Sequence, residues 1–226
     1  MASHRRFADL VAALPEDAVI AVDMPIGLPD RVSRGGRGPE QAIRPLLGER
    51  RSSVFSIPSR DAVHAEPGPF ASLAAAYDAH TRACEIARQT SDPPRGISIQ
   101  AFFLFDKIRE IDGLLRADMA LSERVIESHP EFAFCQLNGG RPVALAKKVK
   151  GRVNPDGMTA RRALLSGAGF GQDFLQTSLP SGCGTDDFLD ACAMVTVAAR
   201  HAAGIARPNP SPLVRDRHGI PVAIWW

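Results

Sequence analysis

The chain is short of cysteines, of aromatic rings and of long apolar runs. Its four cysteines, Cys84, Cys135, Cys183 and Cys192, include no CxxC pair. That argues against a zinc site or a disulfide framework and predicts reduced, buried thiols. No apolar stretch approaches the roughly 20 residues that cross a bilayer. The opening MASHRRFADLVAAL is basic and then amphipathic, unlike a signal peptide. A cytoplasmic location with no membrane partner is therefore expected. A single tyrosine, Tyr77, offers little of the stacking surface that non-specific single-strand binders use. Common catalytic strings are also missing: there is no GxxxxGK[ST] loop, no GxSxG elbow and no HExxH helix. The GGRG at 35–38 follows a loop rather than a strand and signals a dinucleotide site only weakly.

What is present is ordinary in bulk and uneven in detail. At 226 residues, 45% hydrophobic and 23% charged, the chain is expected to form one domain over 1–226. The formal net charge is only +2. However, residues 31–60 set seven arginines against Glu40 and Glu49, and residues 141–162 set seven basic residues against Asp156 alone. Two such segments beside an acidic remainder suit an anionic ligand, though solvated surface loops have the same composition.

The apolar pattern predicts an α/β architecture with a mostly parallel core. AVIAVD (18–23) and RVIES (124–128) read as buried strands, GIPVAIWW as a terminal strand, and Val54–Ile57 as a further one. Helices are expected over 5–14, 40–48 and 70–89, after Ser98 with Leu104, Ile108, Ile111 and Leu115 in a stripe, and in DGMTARRALLSGAG. The last helix is expected to start at a Thr185 cap and to stop before Gly204.

Acids stand where these elements end or begin. Asp23 closes the first strand. Glu127 closes the second, and His129, two residues on, faces the same way in an extended chain. Asp186, Asp187 and Asp190 open the last helix, where i, i+3 and i, i+4 spacings share a face. Capping and the helix dipole account for first-turn acids without any ligand. Convergence of all three groups at a sheet rim would instead suit Mg²⁺ or Mn²⁺.

The strings VDMPIGLPD, RRSSVF with PSR, SIQAFFLFDKIREID, ESHPEFAF with LNGG, KK, DDFLDA and IWW follow one family's motifs in order. From about residue 7 onward the chain resembles the family known as domain of unknown function 429, described as predicted nucleases with a ribonuclease-H-like fold. The resemblance implies a ribonuclease-H-like mixed sheet flanked by helices, with acids gathered around one or two divalent metals. Asp23 resembles the fourth-strand acid of that fold. Asp187 and Asp190 resemble the i, i+3 metal positions of its Holliday-junction resolvases, with Glu127 a further ligand. The expected chemistry is phosphodiester hydrolysis of nucleic acid by a two-metal mechanism with Mg²⁺ or Mn²⁺. Asp23, Glu127, Asp187 and Asp190 would hold the ions, and His129 would shuttle a proton. Arg50, Arg51, Lys147 and Lys148 would contact phosphate. Family members usually open with a strand like GVDGCRGGW that carries the first acid; this chain starts at the following helix, so that first strand is expected to be lacking. Two rival readings stand beside this one. One is a non-catalytic nucleic-acid or nucleotide-binding module. The other is a hydrolase or phosphotransferase acting on a small phosphorylated metabolite.

Overall fold

Three short apolar strands run parallel and set the frame. In the computed structural model, which describes residues 2–226, a four-stranded sheet has the order Ile20–Val22, Val125–Glu127, Pro221–Trp225, Pro208–Arg215. The first three strands are parallel and the last is antiparallel to its neighbour, so the sheet is mixed. Register places Val22 opposite Glu127, and Glu127 opposite Ile224. The carboxyl ends of the three parallel strands therefore share one rim.

Alternation along the strands divides the core between the two faces of the sheet. Ile20, Val22 and Val125 pack with Ile111, Leu115, Leu121 and the N-terminal helix residues Phe7, Leu10 and Val11. Ala21 and Ile126 pack on the other side with Leu189, Cys192, Ala193 and Val197 of the final helix, Thr185–Ala202. Helices thus cover both faces, as continuous apolar strands require.

Several elements differ from the sequence-based expectations. Val54–Ile57 is not a strand: it is an extended loop that buries Val54 and Ile57 and leaves Phe55 and Ser56 out. Its Val54 carbonyl accepts from Arg44 Nη2 rather than from a neighbouring strand. The stripe after Ser98 is two helices, Ile99–Phe102 and Phe105–Ala117, rather than one. Gly184, not Thr185, is the N-cap of the final helix. The strand Pro208–Arg215 was hidden by its three prolines, which are tolerated because it lies at the sheet edge.

The PIGLP segment shows how closely the rim is packed. Gly27 has φ +73, and a Cβ there would lie 2.4 Å from the Pro221 carbonyl oxygen. Gly27→Ala is expected to destabilise the protein by about 1–3 kcal/mol, through both the left-handed backbone and the clash. Urea unfolding against wild type measures it, and an unchanged midpoint would contradict this account.

Candidate active site

The rim of the parallel strands opens into a cleft of about 320 Å³ lined by Asp23, Glu49, Arg50, Ser53, His129, Glu131, Lys147 and Lys148, among others. Each wall has a clear origin. Asp23 directly follows the first strand. His129 and Pro130 begin the helix Pro130–Leu137, in whose first turn Glu131 stands. Lys147 and Lys148 lead into a two-stranded hairpin, Lys148–Val149 with Arg152–Val153. Its turn contains Lys150 at φ 50, followed by Gly151 at φ 76.

The final helix meets this hairpin through its acids. Lys147 Nζ donates to Asp190 Oδ2 at 2.5 Å, and Lys148 Nζ lies 2.6 Å from Asp186 Oδ2. Asp190 Oδ1 is shielded from solvent and, among the described residues, has no hydrogen-bond partner, and the same holds for His129 Nδ1. His129 Nε2 reaches the Ser53 carbonyl only at 3.4 Å.

Burial is the largest influence on titration here, and the neighbouring charges adjust it. Burial pushes Asp190 up to about 6; Lys147 pulls it down, while Asp23 and Glu131 push it further up. Asp23 is also raised, first by burial, against the pull of His129 and Lys147. Its surface is open to solvent, but it sits in a concavity whose walls, more than its mouth, set its environment. Lys147 is raised as well: burial works against its charge, but Asp190, Glu131 and Asp186 outweigh burial. A surplus of carboxylates around one ammonium raises the acid and the base together. For Asp186, burial opposes ionisation, but the hydrogen bond and charge of Lys148 win and its pKa falls.

Not every expected residue joins the cleft. Glu127 is buried and bound elsewhere. Its Oε1 accepts from Arg37 Nη2 at 2.7 Å and its Oε2 from the Ile26 amide at 2.7 Å. Asp187 is exposed and, among the described residues, has no hydrogen bond or ion pair; the final helix turns Asp186 and Asp190 to the lysines instead. The pair that meets the lysines is therefore spaced i, i+4 rather than i, i+3. Arg51 lies with Arg44 and Glu49 along a separate hollow, whereas Arg50 lines the cleft and donates to the Ala144 carbonyl at 2.9 Å. Asp23, His129, Asp190, Arg50, Lys147 and Lys148 are brought together.

Residues with no site role assigned from sequence support the site. Glu131 pairs with Arg161 at 2.6 Å, both buried. Arg37, 1% exposed, donates to Glu40 and Glu127 and to the carbonyls of Ile26 and Gly27. Nothing in a lone arginine within RGGRGPE distinguishes it from a surface charge; the glutamate three residues on, in capping-box spacing, was the available signal.

The donor set also bears on the expected metal. Among the described residues no group of three or more His, Cys, Asp or Glu side chains is arranged to hold a metal ion. Glu127 is engaged by Arg37, Glu131 by Arg161, and Asp186 and Asp190 each give one oxygen to a lysine. As placed, these residues do not fit a two-ion centre, and lysine ammonium groups supply the neutralising charge.

The fold and site define an α/β protein with an acid–lysine cleft at the carboxyl rim of its parallel strands. The chain belongs to the DUF429 family, described as proteins of unknown function, whose family model matches residues 2–215. No curated protein and no solved structure matches the chain. No helix among the described residues is long and apolar enough to cross a membrane.

Proposed function

We propose that the cleft binds and hydrolyses phosphate diesters, with nucleic acid as the substrate class. The observation that carries this reading is the convergence of Asp23, Asp190 and His129 on Lys147 and Lys148, with Arg50 lining the same cleft. Lys147, Lys148 and Arg50 offer cationic donors to the non-bridging phosphate oxygens. Burial raises both Asp23 and Asp190, the latter to about 6, and a carboxyl group whose pKa is raised can accept or return a proton. One would take the proton of the attacking water as the other protonates the leaving oxygen. His129, with Nδ1 unpartnered, is a third group able to hold that proton. The ribonuclease-H-like fold that the family resemblance implies is compatible with the mixed sheet and belongs to the same reading. No step is assigned to Mg²⁺ or Mn²⁺, because the donors present do not make a metal centre.

The test is hydrolysis of bis(p-nitrophenyl) phosphate and of labelled DNA and RNA, with EDTA and separately with Mg²⁺ or Mn²⁺. Wild type is expected to act on the diester, and Asp23→Asn to be slower by about 10²–10⁴-fold. Turnover equal in the two proteins would overturn the role of the cleft. Turnover only with added Mg²⁺ or Mn²⁺ would replace lysine by a cation as the neutralising charge.

A further inference from the structure

A second cavity of about 250 Å³ opens beside the cleft and shares Asp23, Ser53 and His129 with it. Its character is different. Met24, Pro25, Val54, Phe55, Leu104 and Ile224 line it. They come from the loop after the first strand, the extended segment after Ser53, the break between the two helices that follow Ser98, and the third parallel strand. Three acids stand on its wall: Asp23, shared with the cleft, and Glu40 and Glu127, which are both held by Arg37. Phe55 is 39% exposed, with Val54 buried beside it. His129 lines both cavities and keeps an unpartnered Nδ1.

We infer that this apolar cavity receives the nucleobase of a nucleotide whose phosphate lies in the cleft. The inference rests on the phosphate-binding reading above and narrows it. A base has flat apolar faces and a polar edge, and it matches apolar walls with a few polar groups at one side. A sugar phosphate alone has nothing to place there. A base inside a duplex stack cannot enter a cavity without being extruded. The preferred substrate is therefore a phosphodiester in a single-stranded segment rather than in continuous duplex.

Calorimetry on the full chain tests this with three probes: inorganic phosphate, ribose 5-phosphate and adenosine 5′-monophosphate. The nucleotide is expected to bind about tenfold or more tightly than ribose 5-phosphate, the scale of one stacked base. Phe55→Ala should remove that advantage while leaving ribose 5-phosphate binding unchanged, and Phe55→Trp should retain it. Thermal melts of both variants verify folding, which an exposed side chain makes safe to alter. Equal affinity for ribose 5-phosphate and the nucleotide would overturn the base site and leave the phosphate reading standing. No binding of any of the three would overturn the phosphate reading, and the base site with it.

Discussion

Replacing Arg37 with methionine is expected to destabilise the protein by about 3–5 kcal/mol, the largest stability effect of any single charge removed from this rim. The guanidinium is buried and makes five hydrogen bonds, to Glu40, Glu127 and the Ile26 and Gly27 carbonyls. Two carboxylates share it, which holds Arg37 charged despite its burial. The same sharing leaves Glu127, pushed up to about 7 by burial, only partly compensated. Removing the cation leaves two buried acids and two carbonyls without their partner. An exposed pair gives the contrast: Arg215–Glu123, with side chains 42% and 60% exposed, is expected to contribute no more than about 1 kcal/mol. Denaturant unfolding of Arg37→Met and Arg215→Ala separates the two cases. Removing one of the two stranded acids with Glu127→Gln in the Arg37→Met background returns the cluster to its original net charge and should recover part of the loss. A cost for Arg37→Met as small as that of Arg215→Ala would refute the lock.

This lock explains why the sequence was a good guide to the frame and a poorer one to individual carboxylates. Apolar runs such as AVIAVD and RVIES have few ways to be buried, and they form the neighbouring strands Ile20–Val22 and Val125–Glu127. Glu127 looks like a site acid because it ends such a strand at the rim. Whether it faces a ligand depends on Arg37, ninety residues away in sequence, and local pattern holds no trace of that pairing. The same limit applies at the final helix. Asp186, Asp187 and Asp190 were legible as a cluster, but which two are paired is set by where the hairpin presents Lys147 and Lys148. Tandem lysines in a loop read as solvated charge until the partner helix is in place. The proline-rich strand was missed for a simpler reason. Proline counts against a strand in general, and the exception at a sheet edge depends on topology.

Asp190→Asn is expected to cost about 10²–10⁴-fold in diester hydrolysis while leaving the protein at least as stable at pH 7 as wild type. The sign follows from the direction of its shift. Asp190 titrates near 6 in the folded protein, raised from an ordinary value of 3.8 by burial and by Asp23 and Glu131, with Lys147 opposing. Between those two values the folded state binds more protons than the unfolded state. Stability therefore falls as pH rises from about 4 through 6 and levels off above, by about 3 kcal/mol at most. Asparagine cannot ionise, so that part of the pH dependence should vanish, and loss of the Lys147 contact offsets only some of the gain. Unfolding free energies at pH 4.5, 6 and 7.5 read the effect directly. A variant that loses stability equally at all three values, or that keeps wild-type turnover, would rule out a strained functional carboxylate. Lys147→Met gives the complementary result. Without the ammonium, the Asp190 carboxyl should titrate above 6, visible by carbon NMR of the labelled side chain, and the acidic limb of the rate profile should move to higher pH with it. Asp23→Asn removes a repelling charge, so the Asp190 titration in that variant should move the other way. Opposite displacements by the two substitutions are what a shared acid–lysine cluster requires. A purely structural Lys147–Asp190 tie would leave Asp190 indifferent to Asp23.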